Sequence, residues 1–358
     1  MTKSILLISS VLLCNFLNAQ LDFSQVNTIK NERLMQMDSA VVAGAYERIT
    51  SILIAKDGQV LYEKYYNDSN KNSKHNTRSS TKTMATLLTG IAIEKGFISS
   101  EKDKILSYLK HKLPLKNPDK RKNEITIEDL LTMSASLECN DNNSFSRGHE
   151  ERMYLIEDWT QFYLDLPIRS YTFNPKPEEL PYGRSFSYCS AGAATMAEVI
   201  ESAVGTKLDV FAKQHLFEPL GITDYTLHYT PQNILNTAGG SEYKSRDFLK
   251  LIQLCLNNGQ WKGTQLLPAS WIQKASSPKV DAFEGMQYGY LFWLLDFGND
   301  KKFPCYAMAG NGGNKMIACP DLGLTVVMTS TNYNNAKAHR YTNELMNTYI
   351  VPAFLGAN

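Results

Sequence analysis

The order of hydrophobic and polar positions predicts β-strands near both ends of the 358-residue chain. Residues 49–66 contain two β-rich runs on either side of Asp57-Gly58, a dipeptide typical of tight hairpin turns. Residues 314–319 and 324–330 form a second pair of β-rich runs around a turn that contains proline and glycine. The pattern therefore predicts one hairpin near each end of the chain.

Helical patterns occupy the middle of the chain and its far end. Residues 81–95 predict a helix that is apolar nearly all round, and such a helix belongs inside a domain. Residues 191–203 predict a second clear helix, and a glycine follows each of these two segments as a stop signal. Residues 336–350 also have a helical pattern, whereas residues 100–230 have short helical stretches broken by loops rich in proline and asparagine.

Strands at both ends with helices between them favour a single α/β (α+β) unit over two consecutive domains. We predict a sheet domain formed by residues 20–98 and 231–358. A mainly helical subdomain of residues 99–230 is expected to interrupt it.

The overall charge excludes two classes of partner. Lysine and arginine total 37 against 36 aspartates and glutamates, a formal charge of +1. Without a basic excess we expect no nucleic-acid partner and no attraction to an anionic membrane surface. The mean hydropathy of −0.30 excludes a protein that crosses a membrane many times.

The first nineteen residues have the pattern of a secretory signal peptide. A basic start at Lys3 is followed by an apolar run over residues 5–13 and a small residue at Ala19. We expect cleavage after about Ala19, export to the periplasm or the outside, and no membrane anchor afterwards. Cys14 lacks the small preceding residue that lipidation needs, because Leu13 stands there. A buried N-terminal helix is the alternative interpretation.

Five cysteines follow the predicted leader, and their spacing contains no C-x-x-C pair. They are Cys139, Cys189, Cys255, Cys305 and Cys319. An odd number cannot all pair within one chain, and the sequence leaves their pairing open. We expect most of them to be buried as small apolar residues. The six histidines are scattered, so no metal site is predicted.

The pattern S-x-x-K is the first candidate for catalytic chemistry. It occurs at Ser79, Ser99, Ser107, Ser241 and Ser276. Only the copy at Ser79 stands at the beginning of the long apolar helix, where unpaired N–H groups can stabilise developing negative charge. Lys82 follows one turn later, and a desolvated lysine there can act as a base. The alternative is that Ser79 is a helix cap and Lys82 an exposed helix residue.

The pattern Y-x-[NS] is the second candidate. It occurs at Tyr65, Tyr188, Tyr243, Tyr333 and Tyr341. Tyr188 is distinguished because the helix of residues 191–203 follows at once, and a phenol beside a lysine could transfer protons. The alternative is a core tyrosine with Ser190 as the helix cap.

A glycine-rich stretch over residues 309–314 leads directly into a predicted strand. Three glycines in four residues let the backbone approach a substrate closely and offer its N–H groups as donors. No Lys-Ser/Thr pair follows, so the stretch is not a P-loop. A bulge or a tight turn is the alternative interpretation.

Taken together and in this order, the three motifs resemble those of the serine β-lactamase and penicillin-binding-protein superfamily. More narrowly, the motifs resemble those of the class C β-lactamase-related hydrolases, which include esterases and the 6-aminohexanoate-dimer hydrolase. Further similar segments are residues 77–98, 125–134, 217–222, 288–293 and 320–327. The resemblance implies a β-lactamase/transpeptidase-like fold with an antiparallel sheet.

The resemblance also implies a role for each candidate residue. Ser79 resembles the acylated nucleophile, Lys82 its base partner, and Tyr188 the group that carries protons to the leaving group and from water. The N–H groups of Ser79 and Asn311 would form the oxyanion hole, with Gly310 beside them. The resemblance implies no metal and no organic cofactor.

Two departures from the family pattern bear on the substrate. Where β-lactam-active members carry Lys-Thr-Gly, this chain has Met308-Ala309-Gly310, so a cation that would recognise a substrate carboxylate is missing. Ser190, a further expected substrate-binding residue, stands where many members have asparagine. Both changes argue against an efficient β-lactamase and leave hydrolysis of esters or simple amides intact.

The sequence therefore predicts an exported serine hydrolase that acts on a small ester or amide through an acyl-enzyme. One alternative is a weak β-lactamase or a cell-wall-peptide hydrolase or transpeptidase. Another is a non-catalytic recognition module.

Overall fold

A computed structural model of the protein describes residues 21–24, 26, 30–172, 175–283 and 285–355. The predicted signal peptide, residues 1–19, lies outside the described residues. None of the helices in the described ranges is long and apolar enough to cross a membrane.

The strands are β1 (Ile49–Lys56), β2 (Gln59–Tyr65), β3 (Lys74–Asn76), β4 (Glu242–Lys244), β5 (Gln260–Trp261), β6 (Thr264–Gln265), β7 (Val280–Phe283), β8 (Met286–Tyr288), β9 (Trp293–Phe297), β10 (Phe303–Gly310), β11 (Asn314–Cys319) and β12 (Leu324–Ser330). The helices are α1 (Glu32–Val42), α2 (Thr83–Glu94), α3 (Ile105–Tyr108), α4 (Ile127–Leu131), α5 (Glu150–Met153), α6 (Trp159–Asp165), α7 (Ser190–Val204), α8 (Leu208–Ala212), α9 (Glu218–Leu220), α10 (Ser245–Leu256), α11 (Ala269–Ala275), α12 (Ala338–Glu344) and α13 (Val351–Ala353). Short 3₁₀ turns are Arg78–Lys82, Lys110–Lys112, Lys120–Glu124, Pro177–Glu179 and Pro320–Leu322, and π-helical turns Lys213–Phe217 and Leu345–Ile350 continue α8 and α12.

Eight strands form one sheet in the order β2-β1-β12-β11-β10-β9-β8-β7. Every neighbouring pair is antiparallel, and β1 from the N-terminal part lies beside β12 from the C-terminal part. The prediction of an antiparallel sheet built from both ends is therefore confirmed. Both predicted hairpins are also confirmed, since β1 and β2 flank Asp57-Gly58 and β11 and β12 flank the turn before Gly323.

Each face of the sheet carries its own hydrophobic core. The larger core packs α2, α7 and α10 against side chains such as Met308 and Met316. The smaller core packs α1 and the C-terminal helix against the other face, where Ala307 and Ile317 point. This alternation along β10 and β11 follows from the two-residue period of a strand, and it decides which side chains can reach each layer.

All five cysteines after residue 19 are buried, as expected. The structure pairs Cys139 with Cys189 and Cys305 with Cys319, while Cys255 is a buried free thiol. The pairing that the sequence left open thus involves four of the five. The first bond joins the loop after α4 to the residue before α7, and the second crosses between β10 and β11.

Candidate active site

Ser79 lies in the 3₁₀ turn Arg78–Lys82, which continues directly into α2. The helix proper begins at Thr83, two residues later than the sequence predicted, and no side chain caps it. Arg78 has a φ of 54°, a left-handed conformation that is unfavourable for a residue with a side chain. Gly240 supports this turn because its N–H donates to the carbonyl of Arg78 at 3.2 Å. Ser79 is therefore not a helix cap, and its hydroxyl is available to another partner.

Lys82 provides that partner from one turn further along. Its Nζ lies 3.0 Å from the Oγ of Ser79 and also donates to the backbone carbonyl of Ala238. The side chain is buried at 2% exposure, which contradicts the alternative of an exposed helix lysine. No aspartate or glutamate in the described part of the chain forms an ion pair with it.

Tyr188 reaches the same place from the segment before α7. The Nζ of Lys82 lies 5.2 Å from the centre of the Tyr188 ring, and the ring stacks on Trp293 at 6.0 Å. The neighbouring Cys189 is held by its disulfide to Cys139. The carbonyl of Tyr188 also accepts a hydrogen bond from the N–H of Asp141 at 2.8 Å. Covalent and hydrogen bonds thus fix the backbone that carries the phenol.

Ser190 donates hydrogen bonds to two acidic residues that the sequence analysis did not single out. Its N–H donates to Asp141 at 2.6 Å, and its hydroxyl donates to Glu150 at 3.0 Å. Burial raises the pKa of Asp141, although the hydrogen bond from Ser190 and the charge of Lys82 oppose the shift. Ser190 is itself fully buried, so it positions Glu150 in the site. Neither acid stands in a recognisable motif, and only the fold brings them to the serine.

Gly310 ends β10 against the turn that carries Ser79. A Cβ at this position would lie 2.0 Å from the carbonyl oxygen of Thr77 and 3.1 Å from the nitrogen of Ser79. Only glycine permits this contact between two backbones. Asn311 follows at the surface, where its side chain exchanges hydrogen bonds with Asn334 at 2.7 and 2.8 Å. The N–H groups of Ser79 and Asn311 therefore belong to adjoining backbone segments, as the proposed oxyanion hole requires.

Ser79 stands between two clefts. One, of about 490 Å³, is lined by Ser79, Tyr188, Trp293, Ala309, Gly310 and Asn311, and by Asp141 and Glu150 on its far wall. The other, of about 520 Å³, shares Ser79, Glu150 and Asn311 and extends past Arg78 and His228. A carbonyl carbon held at the serine could thus send its acyl group and its leaving group into different clefts.

The structure agrees with the sequence that β10 provides no cation to the cleft. Met308 is fully buried in the larger core, and Ala309 offers the cleft only a methyl group. In the described part of the chain, no three His, Cys, Asp or Glu side chains cluster as a metal site would require. The groups that the structure brings to the cleft at Ser79 are an amine, a phenol, backbone N–H groups and the carboxyl groups of Asp141 and Glu150.

An antiparallel sheet with a serine at the beginning of a buried helix is the arrangement of a serine hydrolase. The Beta-lactamase family model matches residues 36–348, and the chain belongs to the β-lactamase family. No curated protein sequence matches the chain.

Several solved structures share the fold. A proposed 6-aminohexanoate-dimer hydrolase from Bacillus anthracis has a TM-score of 0.67 at 18% identity, covering 94% of this chain and 89% of that one. EstCE1, a hydrolase with promiscuous acyltransferase activity, has a TM-score of 0.67 at 16% identity, with 91% and 98% covered. A D-stereospecific amidohydrolase from Streptomyces has a TM-score of 0.64 at 16% identity, with 89% and 97% covered. At such identities the likeness shows a common fold.

Proposed function

We propose that this serine hydrolase cleaves linear esters or amides through an acyl-enzyme on Ser79. The observation that carries the proposal is the buried Nζ of Lys82 at 3.0 Å from the Ser79 hydroxyl. Burial of a lysine without an ion pair does not by itself indicate function, since Lys122 is 1% exposed and donates to the carbonyl of Leu164. Lys82 instead points its amine at a serine that lines a cleft.

Acylation begins when the Oγ of Ser79 attacks the substrate carbonyl and its proton passes to the amine of Lys82. The N–H groups of Ser79 and Asn311 stabilise the resulting oxyanion. When the bond to the leaving group breaks, Tyr188 donates a proton to that group, and Lys82 restores the proton of Tyr188. The products of this step are the acylated serine and the free alcohol or amine.

Deacylation repeats the sequence with water as the nucleophile. Tyr188, assisted by Lys82, takes a proton from water as the oxygen attacks the ester carbonyl of the acyl-enzyme. The tetrahedral intermediate then breaks its bond to Oγ, and the proton returns to Ser79. The net reaction adds one water to one ester or amide bond.

Esters and linear amides suit the site better than β-lactams. Met308 and Ala309 replace the two side chains that a β-lactam-active site uses on this strand. The structurally similar proteins described as an esterase-type hydrolase, an amidohydrolase and an amide-dimer hydrolase support this choice of substrate class. Export through residues 1–19 is part of the proposal, and the disulfides Cys139–Cys189 and Cys305–Cys319 support it because such bonds persist in oxidising compartments.

The test is the intact mass of the protein after incubation with a fluorophosphonate probe and, separately, with a penicillin. We expect one probe adduct on the wild type and none on Ser79→Ala. The matched control is Ser99→Ala, which removes the exposed serine of another S-x-x-K copy and should label like the wild type. A stable penicillin adduct would shift the function toward wall-peptide chemistry. If neither reagent labels the protein, the non-catalytic recognition module becomes the better proposal.

A further inference from the structure

One wall of the cleft at Ser79 is a row of stacked aromatic rings. The ring of Tyr188 stacks on Trp293, and Trp293 stacks in turn on Phe283, with 6.0 Å between the ring centroids at each step. All three side chains line the cleft, so the row leads from the phenol of the active site to the end of β7. Aromatic faces offer a substrate a large apolar contact area, and this wall therefore suits an apolar group.

Phe283 ends the row with half of its surface exposed. Its exposed fraction is 50%, and Met286 and Leu295, which line the same cleft, are partly exposed. Single exposed apolar side chains are common on protein surfaces, whereas several that share one cavity are typical of a ligand-binding surface. The apolar end of the cleft is therefore a candidate for a surface that a substrate covers.

A second and larger cavity begins where the aromatic row ends. This cavity, the β7–β9 groove, has a volume of about 900 Å³ and shares Phe283, Met286 and Leu295 with the cleft at the nucleophile. The rest of its lining is mostly apolar and includes Pro278, Ala282, Leu294, Pro304 and Tyr306. Its charged lining residues are Asp281 and Asp296, and both are exposed. Because three side chains line both cavities, the groove adjoins the cleft and extends it away from the nucleophile.

The groove results from the short pairing of β8 with β9. Within the described residues, β8 pairs with β9 only at Leu294 and Trp293. The next residue of β9, Leu295, pairs with β10 on its other side. Trp293, Leu294 and Leu295 are all partly exposed, whereas every residue of the central strand β12 is buried. The opening is thus a property of the backbone pairing and does not depend on the position of one side chain.

The other cleft at Ser79, of about 520 Å³, has a different character. It is lined mostly by polar side chains, among them Arg78, Glu151, His228, Asn236 and Asn334. Transfer of an apolar chain from water is favourable only into apolar surroundings. Such a chain, attached to a carbonyl at Ser79, should therefore lie along the aromatic row, while the polar part of the substrate lies in the second cleft.

We propose that the aromatic row and the β7–β9 groove bind a long, linear apolar chain of the substrate, so that the enzyme prefers esters or amides with long chains over short ones. Phe283, Met286 and Leu295 are the residues that determine this specificity, because a chain must pass them to enter the groove. Burial of each further methylene group is favourable, so the preference should grow with chain length. This inference rests on the proposed function, because a preference among substrates is defined only if Ser79 turns one over.

The experiment compares kcat/KM for esters that differ only in chain length, at concentrations where each is monomeric in solution. The pair para-nitrophenyl butyrate and octanoate varies the acyl chain, and the pair butyl and octyl acetate varies the chain of the leaving alcohol. Rates measured with Ser79→Ala are subtracted. We expect the wild type to prefer the longer member of at least one pair by about tenfold or more, and that pair identifies which side of the cleaved bond lies in the groove. In Phe283→Gln and in Leu295→Gln the preference should fall several-fold.

Phe97→Gln is the matched control, since Phe97 is a phenylalanine of similar exposure, 43%, that lines neither cavity, and its preference should equal that of the wild type. A wild type that hydrolyses short and long esters equally, or prefers the shorter member of both pairs, would overturn the inference. An unchanged preference in Phe283→Gln and Leu295→Gln would do the same, and should one of these variants not fold, the other decides. A loss in Phe97→Gln as large as in Phe283→Gln would also overturn it. Absence of any Ser79-dependent turnover would instead overturn the proposed function.

Discussion

Two regions of this protein differ in the partners that they give to a buried lysine side chain. Between α6 and α7, Lys112 contacts Asp158 at 2.8 Å and Glu198 at 3.0 Å, and His111 also bonds to Glu198 at 2.7 Å. At the cleft, the amines of Lys82 and Lys315 donate hydrogen bonds to hydroxyl and carbonyl oxygens, and neither forms an ion pair within the described residues.

The ion-paired lysine stabilises the fold, whereas the lysines at the cleft keep an amine that can interact with a ligand. A buried ion pair satisfies both ions, so nothing remains for a ligand to complete. An amine surrounded by neutral oxygens can still take a proton or bind an anion. Substituting a lysine in each region should therefore damage different properties of the protein.

The largest effect is expected from Lys82→Met. Removing the amine deprives Ser79 of its base and should lower kcat/KM for a chromogenic ester by about 10³-fold. Because no carboxylate is left unpaired, the free energy of unfolding should change little. Kinetics and urea unfolding of the same preparation measure both. Activity within tenfold of the wild type would remove Lys82 from the mechanism.

Tyr188→Phe should produce the next largest loss. The ring and its stacking on Trp293 remain, while the proton donor disappears. We expect kcat to fall by about 10²-fold with an unchanged melting temperature. A variant within about threefold of the wild type would show that another group transfers the protons.

Lys112→Met should have the opposite effect, lowering the stability of the protein and leaving its activity unchanged. It leaves Asp158 and Glu198 without their buried cation and should lower the free energy of unfolding by roughly 3 kcal/mol. The activity per folded molecule should equal that of the wild type, because Lys112 contacts neither cleft. Loss of activity without loss of stability would contradict the contrast between the two regions.

The smallest expected effect is the contribution of Glu128 to the pH dependence of stability. Glu128, like Glu198, is a buried carboxylate in ion pairs. Desolvation would raise its pKa, but hydrogen bonds from Lys102 and Tyr290 outweigh it, and the charge of Arg184 acts in the same direction. The pKa of Glu128 is thus lowered in the folded protein, so its stabilisation is present above its usual value of 4.5 and is lost as the pH falls.

Acid unfolding of Glu128→Gln compared with the wild type measures this contribution. Relative to its own stability at neutral pH, the variant should lose stability less steeply between about pH 5 and pH 3. Parallel curves would show that Glu128 does not contribute through its ionisation.

Much of the fold was predictable because its signals are local. Turn residues and alternating strands identify both hairpins, and the apolar run of residues 81–95 identifies the helix behind Ser79. Ser79 and Lys82 are similarly close in sequence, so one helical turn suffices to bring them together.

The features that the sequence did not predict depend on contacts between segments that are distant in the chain. Asp141 and Glu150 are held at the cleft by hydrogen bonds to Ser190, which follows them by 49 and 40 residues. Lys315 sits in a run that reads as an ordinary strand, and its burial depends on how α12 packs. The pairing of Cys139 with Cys189 likewise follows from the tertiary fold.

The contact between Gly310 and Thr77 limits which positions of this strand can be substituted. Ala309 faces a cleft and can be exchanged to suit another substrate. Gly310 cannot, because any Cβ would collide with the backbone that orients the nucleophile. The strand thus has one position that tolerates a larger side chain next to one where only glycine fits, and mutant libraries aimed at new specificities should leave residue 310 untouched.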